Sequence, residues 1–414
     1  MTARRMALAL AALAVAAPLA VLPGTASAAP GPAAAPEWWF DSWQVGALWA
    51  AGADGRGITV AVIDTGVQAS LPELQGRVLP GADFIGNGSD GRTDYDGDDF
   101  SHGTAMASII VARQGFGNIE GLAPAARILP LAVPLRGVIR KGTATANATA
   151  TAVSYAADHG ARIISMSLGG VREASDGPDP CPDAVQAAVL HALSKGALVV
   201  AASGNSGGSG SPVEEPGVCL GVVSVGSVNQ QLAASAFSSR HPYLTVSAPG
   251  DNIATLSRDS AYIGEGTSQA TAMTSAALAL IWSKYPRETN RQVLTRLLST
   301  VIDRGPQGRD PAYGLGVINP PAAVAAHPAS TAANPVFDGV QPLLDQLAAA
   351  RSPRPLPAAG RPNTSLGAFS IARAPATESL GFYFVLIATV CFALLAMLAL
   401  IRFARRRRAG PVLY

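Results

Sequence analysis

The organisation of this chain is set by residues 58–66, which read Ile58-Thr59-Val60-Ala61-Val62-Ile63-Asp64-Thr65-Gly66. The first six are apolar or β-branched, as expected of a strand buried on both faces of a sheet. An aspartate and a Thr-Gly pair follow, and glycine permits a tight exit that turns the carboxylate inward. Taken alone, an aspartate here is also a common turn cap. The stretch predicts a buried strand with an acid at its carboxyl end.

Further short apolar runs follow along the chain after this strand. Short apolar runs alternate with longer amphipathic ones, which predicts an α/β domain with a mostly parallel sheet covered by helices on both faces. The predicted strands are residues 58–63, 127–131, 163–167, 198–202, 222–225 and 245–247. The predicted helices are residues 104–111, 145–159, 183–195, 268–284 and 289–300. We place this domain at residues 57–325.

Two further motifs fall on the sheet edge where Asp64 is predicted. One is Ser101-His102-Gly103-Thr104, and the other is Gly266-Thr267-Ser268-Gln269-Ala270 at the start of a predicted helix. In an open parallel sheet the carboxyl ends of strands and the amino ends of helices share one edge, so we expect the three side chains to meet. An acid, a base and a hydroxyl then suit nucleophilic catalysis. A plain helix N-cap is the alternative for the serine.

A side-chain amide follows the predicted strand at residues 198–202, in the segment Ala201-Ala202-Ser203-Gly204-Asn205-Ser206-Gly207. An amide there, with the free backbone N–H groups at the start of the Ser268 helix, is suited to stabilising an oxyanion. An isolated asparagine between glycines is more commonly a turn residue. Beside an acid, a base and a hydroxyl, Asn205 is predicted to be an oxyanion donor.

These motifs resemble the peptidase S8 family of subtilisin-like serine proteases, in which Asp, His and Ser follow one another in this order. The resemblance covers about residues 57–324 and implies a subtilisin-like three-layer fold with a mostly parallel central sheet. It implies an endopeptidase that acts through an acyl-enzyme, with four catalytic residues, Asp64, His102, Ser268 and Asn205. It also implies a strand edge that pairs with a protein or peptide substrate, formed by Ser167, Leu168 and Gly169. Ala272 stands where the family usually has proline.

The two ends of the chain read as targeting and anchoring segments. Residues 1–28 have a basic start, an apolar centre and a small-residue exit, which is typical of a secretory signal peptide; an uncleaved anchor is the alternative. Residues 380–401 carry no charge and are long enough for a transmembrane helix, with a buried core helix as the alternative. Residues 402–414 form a basic tail. Positive charge stays in the cytoplasm, which predicts a single-pass protein of the cell membrane with an extracytoplasmic peptidase domain and a cytoplasmic C-terminus.

Two segments join these ends to the domain. Residues 29–56 form an N-terminal extension rich in tryptophan, which is too short to fold alone and is expected to bury its aromatic side chains on the domain. Residues 326–379 are rich in Pro and Ala and are predicted to form a stalk, with a brief helix at 338–349. This layout resembles the mycosins, membrane-anchored proteases associated with type VII secretion, and implies a secretion complex as partner. The alternatives are a structural subunit whose proteolysis is secondary and a general degradative surface subtilisin.

The charge of the chain excludes one class of partner. It has 30 basic and 28 acidic residues, and seven of the arginines lie in the segments 1–28 and 402–414. The remaining chain carries 23 basic against 28 acidic residues, a net charge of about −5. It therefore has no electrostatic footprint for nucleic acid.

The three cysteines predict one disulfide. Cys391 lies in the predicted span, which leaves Cys181 and Cys219 outside the cell. Two thiols without clustered histidines cannot complete a zinc site, so we predict that they pair with each other.

Carboxylates cluster in one loop, at Asp90, Asp94, Asp96, Asp98 and Asp99. Such oxygen ligands suit calcium, but their spacing fits no EF-hand. A solvated acidic loop is the favoured interpretation, and no metal or other cofactor is predicted.

Overall fold

A seven-stranded parallel sheet forms the centre of the protein, in the order β2-β3-β1-β4-β6-β8-β9. The strands are β1 (Thr59–Asp64), β2 (Ala82–Asp83), β3 (Arg127–Ala132), β4 (Ile163–Met166), β5 (Gly170–Val171), β6 (Leu198–Ala202), β7 (Glu214–Glu215), β8 (Val222–Val228), β9 (Val246–Pro249), β10 (Ile253–Leu256) and β11 (Ala261–Gly264). Strand β1 is buried from Val60 to Asp64 and lies between β3 and β4. Residues 58–66 therefore contain an interior strand of the sheet.

The computed structural model describes residues 37–96, 101–113, 119–135, 144–171, 181–329 and 331–351. Contacts divide the chain into two compact units, residues 1–352 and 353–414, and all described residues lie in the first. The predicted signal peptide at 1–28, span at 380–401 and tail at 402–414 fall outside the described residues. Among the helices of the described ranges, none has both the length and the apolar character to cross a membrane.

Helices cover the sheet in two groups. They are α1 (Trp38–Ser42), α2 (Val45–Ala50), α3 (His102–Val111), α4 (Ala144–Asp158), α5 (Asp183–Ser194), α6 (Thr267–Lys284), α7 (Asn290–Leu298), α8 (Pro320–Ala325) and α9 (Pro335–Arg351). Helices α3 and α6 pack on each other and on the sheet, while α4 and α5 form a second pair that also contacts the strands. Because the central strands are buried throughout, the two pairs cover opposite faces. The predicted α/β architecture with a parallel sheet is confirmed.

The described part of the N-terminal extension packs on the domain through its aromatic side chains. Trp39 is 1% exposed, and the indole N–H of Trp49 donates to the carbonyl of Leu122 at 2.9 Å. The indole N–H of Trp38 donates to the carbonyl of Asp251 at 3.2 Å. A buried indole needs such a partner for its N–H, and these acceptors belong to the domain. The extension therefore contributes to the core.

Part of the predicted stalk is also folded. The brief helix expected at 338–349 is the longer helix α9 (Pro335–Arg351), preceded by an Asn334 side chain that donates to the carbonyl of Arg291 at 3.2 Å. Phe337 and Val340 of α9 are buried against the domain. The residues that extend the helix at its start include Val336 and Phe337, which are buried. Their burial depends on the surface that they cover, which composition does not show.

The predicted disulfide is present. The sulfur atoms of Cys181 and Cys219 are bonded, and both residues are nearly inaccessible to solvent. The bond ties the start of α5 to the loop that follows β7.

Glu37 makes the stability of the fold depend on pH. Burial raises the pKa of Glu37 from 4.5 to about 7, although hydrogen bonds from the Trp39 indole and the Ala254 backbone act in the opposite direction. Between these two pH values the folded chain holds a proton that the unfolded chain has lost, so stability is complete below 4.5 and declines as pH rises through about 7. The expected decline is up to about 3 kcal/mol.

We expect Glu37→Gln to remove most of this decline because the amide stays neutral and its oxygen still accepts from Trp39. The measurement is urea unfolding at pH 5 and pH 8, made in a Ser268→Ala background to prevent autolysis. The exposed control Glu265→Gln should keep the original pH dependence. Equal pH dependence in the Glu37→Gln protein and its parent would contradict the prediction.

Candidate active site

Asp64 and His102 form the centre of the site. Asp64 ends β1, is fully buried, and lies 2.9 and 3.0 Å from Nδ1 of His102 through its two carboxylate oxygens. His102 begins α3 and is 28% exposed. Because Nδ1 is held by the carboxylate, it carries the proton and leaves Nε2 as the lone-pair nitrogen. This is the geometry of an oriented general base.

Two glycines permit the approach of these side chains. Gly66 has φ +102°, a conformation that favours glycine, and a Cβ there would overlap the carbonyl of Thr93. At Gly103 a Cβ would overlap the carbonyl of Gly66 and lie 3.1 Å from Cβ of Asp64. The glycine at position 103 therefore permits the start of α3 to approach Asp64 and Gly66 closely.

Ser268 lies in the first turn of α6, with its side chain partly accessible. Its hydroxyl donates to the carbonyl of Ser167 at 3.1 Å, and the Ser167 hydroxyl donates back to the carbonyl of Ser268 at 2.9 Å. Within the described residues, no hydrogen bond joins Ser268 to His102. Both nevertheless line the same cleft of about 1090 Å³. Of the three side chains expected to meet, Asp64 and His102 are hydrogen-bonded to each other, while Ser268 is hydrogen-bonded to Ser167.

Asn205 is oriented by the residue before the serine. Its side-chain oxygen accepts hydrogen bonds from the backbone N–H and the hydroxyl of Thr267, both at 2.9 Å. Two donors on the oxygen identify the other side-chain atom as the NH₂ group. Asn205 is exposed and lines the cleft with Ser268, so this NH₂ is available to a ligand there.

The three residues proposed to pair with substrate follow β4. Ser167 and Leu168 are buried, whereas Gly169 is exposed. The backbone at Ser167 is fixed to Ser268 by the two hydrogen bonds described above. The segment therefore lies beside Ser268.

Ala272 lies in the same helix as Ser268. It is fully buried within α6, which runs without interruption from Thr267 to Lys284. The replacement of the usual proline leaves the helix regular.

A buried carboxylate that the sequence did not single out supports the site. Asp94 accepts from the Thr65 hydroxyl at 2.8 Å, from the Thr104 backbone N–H at 2.9 Å and from the Thr104 hydroxyl at 2.5 Å. Thr65 in turn contacts Asp64 through its backbone N–H at 2.8 Å, and Thr104 lies in the first turn of α3. Asp94 therefore joins the end of β1 to the helix that carries His102.

This arrangement differs from the solvated acidic loop that was expected. Asp94 is 1% exposed, Asp90 pairs with Arg92 at 2.7 Å, and Asp96 accepts from the backbone N–H of His102 at 3.2 Å. Asp98 and Asp99 lie outside the described residues. In the part of the chain that is described, no group of three or more His, Cys, Asp or Glu side chains is arranged to hold a metal ion.

We expect Asp94→Asn to destabilise the fold by about 2 kcal/mol or more, because the amide would turn a donor toward other donors. The free energy of unfolding and peptide hydrolysis should both fall, since the substitution releases α3 from β1. The matched control is Asp90→Asn, at a partly exposed carboxylate of the same loop whose surface ion pair with Arg92 contributes little, and it should change both by much less. Equal stability of the two variants would contradict the role given to Asp94.

The charge around His102 sets the pH range of the site. Burial lowers the pKa of His102, but the charge and hydrogen bond of Asp64, with smaller contributions from Asp96 and Asp94, raise it, and the net pKa lies above 6.5. Only the neutral imidazole can act as a base, so kcat/KM should fall tenfold per pH unit below a midpoint that is higher than 6.5.

Asp96→Asn should move this midpoint to lower pH because it removes one negative charge while keeping an acceptor oxygen. The exposed and remote substitution Asp183→Asn should not move it. The measurement is the pH profile of kcat/KM in the three proteins, and an identical midpoint in all three would contradict the electrostatic assignment.

Comparison with known proteins places this geometry in a family. The sequence model of the Peptidase_S8, or subtilase, family matches residues 55–316. The chain belongs to the subtilase family. Subtilases are serine-type endopeptidases, and this chain is one of them.

Individual relatives agree with that assignment. The subtilase is 34% identical to subtilisin DY of Bacillus licheniformis over 277 residues, which cover 66% of this chain and 93% of subtilisin DY. It is 32% identical to the minor extracellular protease Epr of Bacillus subtilis (strain 168) over 283 residues, 68% of this chain but 41% of the length of Epr.

Comparison with solved structures shows which members of the family this chain resembles in fold. MycP1 from Mycobacterium smegmatis matches with a TM-score of 0.61 and 27% identity, covering 72% of this chain and 87% of that one. The MycP3 protease from the type VII (ESX-3) secretion system matches with a TM-score of 0.60 and 32% identity, covering 73% and 90%. A chain of the periplasmic assembly of the ESX-5 inner membrane complex matches with a TM-score of 0.63 and 25% identity, covering 86% and 92%. The subtilase is therefore similar to mycosins of type VII secretion systems.

Proposed function

We propose that this subtilase hydrolyses peptide bonds with Ser268 as nucleophile, His102 as general base and acid, and Asp64 as the group that orients His102. The observation that carries the proposal is the hydrogen bond between the buried Asp64 and Nδ1 of His102, in the cleft that Ser268 also lines. An imidazole held in this way has one free nitrogen, Nε2, to exchange a proton with the serine.

The reaction begins with a rotation of the Ser268 side chain. The hydroxyl leaves the Ser167 carbonyl and turns about its Cα–Cβ bond toward Nε2 of His102, a change between staggered rotamers. His102 takes the proton as the oxygen attacks the substrate carbonyl. Asp64 then lies against the imidazolium and stabilises its charge.

The tetrahedral intermediate places negative charge on the former carbonyl oxygen. The NH₂ of Asn205 and the backbone N–H of Ser268 in the first turn of α6 are the donors for it. His102 returns its proton to the leaving amine as the C–N bond breaks, which yields the acyl-enzyme. A water molecule then attacks the acyl-enzyme ester and gives a proton to His102. The bond between the acyl carbon and the Ser268 oxygen breaks as His102 returns this proton to the serine, which releases the acid product.

A fluorophosphonate probe tests this assignment in the purified protein. The probe reacts with a serine only when that serine is activated by its base. We expect labelling of one residue, Ser268, identified by peptide mass spectrometry. Absence of labelling in a folded protein would count against the proposal.

We further propose that the enzyme is anchored in the cell membrane by residues 380–401, faces the extracytoplasmic side, and works with a type VII secretion complex. The sequence of the two ends supports the anchoring, and the similarity to MycP3 and to a chain of the ESX-5 periplasmic assembly supports the partner. Alkaline phosphatase fused after residue 352 should be active, and the same reporter after residue 414 should be inactive. Activity at both positions would contradict the topology.

A structural subunit is the second candidate, supported by the similarity to a chain of an assembled secretion complex. Complementation of a deletion strain by the Ser268→Ala variant separates the two. Loss of secretion would assign the function to proteolysis, whereas full secretion would assign it to scaffolding. Broad digestion of casein by the isolated domain would instead favour a general degradative enzyme.

A further inference from the structure

A carboxyl group lies between two segments of the chain that each adjoin a residue of the candidate site. The antiparallel pair of β5 and β7 sets Val171 opposite Glu214. A Cβ built on Gly204 would overlap the Glu214 carboxyl, and one built on Gly169 would lie 2.8 Å from its Oε2. The Glu214 carboxyl thus fills the space between the backbones of Gly169 and Gly204.

Neutral donors hold this carboxyl in place. Glu214 is 7% exposed, and no described Lys, Arg or His forms an ion pair with it. The hydroxyls of Ser206 and Ser239 donate to it, the latter at 3.5 Å. Burial raises the pKa of Glu214, while these hydrogen bonds lower it. The Glu214 side chain is therefore held in one position between Gly169 and Gly204.

The two glycines that flank the Glu214 carboxyl adjoin residues of the candidate site. Gly169 lies two residues after Ser167, which is hydrogen-bonded to Ser268, and Gly204 immediately precedes Asn205. When Ser268 attacks a carbonyl whose oxygen faces Asn205, the residue that supplies this carbonyl lies between the two segments. Its side chain then extends toward the gap that Glu214 occupies.

We propose that Glu214 restricts the residue on the acyl side of the cleaved bond to a small side chain, Gly, Ala or Ser. The inference rests on the proposed endopeptidase function and names the substrate class of that site. A large apolar side chain would have to displace the carboxyl or cover it without hydrogen bonds, and both cost free energy. A methyl group or a hydrogen leaves the carboxyl where it is.

Four tetrapeptide amides that differ only in the residue before the scissile bond, Ala, Leu, Phe or Lys, test the proposal. In the full chain we expect kcat/KM for Ala to exceed that for Phe and Leu by at least about tenfold. Glu214→Ala should raise kcat/KM for Phe about tenfold or more relative to Ala, because it opens the gap. Glu214→Gln keeps the volume and should keep the preference for Ala. Glu120→Ala, remote from the cleft, is the control and should match the parent.

Each other outcome overturns the inference. A parent that prefers Phe or Leu shows that the carboxyl does not block the gap. A preference for Lys that Glu214→Gln abolishes shows that the residue acts by charge. An unchanged Phe-to-Ala ratio in a folded Glu214→Ala protein excludes a role in selection. If that variant fails to fold, Glu214→Ser provides the same opening and keeps a hydroxyl. Fluorophosphonate labelling of Ser268 separates these results from failure of the endopeptidase assignment, because an enzyme with the wrong selectivity is still labelled.

Discussion

Replacing Ser268 by Ala is expected to lower kcat/KM for peptide hydrolysis by roughly 10⁶-fold, the scale seen when a triad loses its serine. The reason is that Ser268 supplies the hydroxyl at the start of α6, in the cleft that His102 and Asn205 also line. The fold should be unaffected, because Ser268 is partly exposed and its hydroxyl makes one hydrogen bond, to Ser167. Hydrolysis of a quenched fluorescent peptide gives the rate, and thermal unfolding gives the stability.

The control for this substitution is Ser194→Ala, at an exposed serine of α5 that is not among the residues lining the cleft. It should keep full activity and fluorophosphonate labelling, whereas Ser268→Ala loses both. A Ser268→Ala protein that hydrolyses the peptide at the rate of its parent would remove the assigned nucleophile and the mechanism built on it.

Loss of the Asn205 amide is the second large effect. We expect Asn205→Asp and Asn205→Ala to lower kcat by about 10²- to 10³-fold with little change in KM, because the NH₂ acts on charge that develops only in the transition state. The Asp variant is the sharper one, since its carboxylate still accepts from Thr267 and alters only the group that faces the cleft. Steady-state kinetics on one peptide substrate separates kcat from KM.

Asn87→Asp is the matched control. Asn87 lines the same cleft but has no place in the mechanism, and its substitution adds a similar negative charge. It should leave kcat within a few-fold of the parent. If both Asn205 variants keep kcat within about threefold, Asn205 is a turn residue and the oxyanion is stabilised by backbone donors alone.

The residues of the candidate site that belong to short sequence motifs were predictable from the sequence. Asp64 ends a strand, His102 is followed by glycine, and Ser268 begins a helix, so the edge where strands end and helices begin brings them together. The supporting groups were not predictable in this way. Asp94 belongs to a loop with several other aspartates, and nothing nearby in the sequence distinguishes the one whose carboxylate binds Thr65 and Thr104.

In the fold too, some elements were predictable from the sequence and others were not. Six strands of the parallel sheet were expected from their apolar runs, since a strand buried on both faces is mostly apolar along its whole length. The polar residues within them, such as Ser165 and Ser224, are few and buried. The edge strand β2 and the short pairs β5–β7 and β10–β11 were missed because two to four residues carry no periodicity. Helix α9 is longer than the brief helix expected in the stalk because Val336 and Phe337 of its first turn are buried on the domain, which the Pro- and Ala-rich composition of residues 326–379 does not indicate.

The sequence by itself determined the order of strands and helices, the acid, base and hydroxyl at one sheet edge, and the family to which they belong. Only the tertiary structure decided that Ser268 rests on Ser167, that Asp94 joins β1 to α3, and that Glu214 fills the gap between Gly169 and Gly204. The physical reason is the separation along the chain of the residues that interact. Periodicity and glycine spacing act between neighbours in the chain, whereas these contacts join segments that are ordered only once the sheet and its helices have packed.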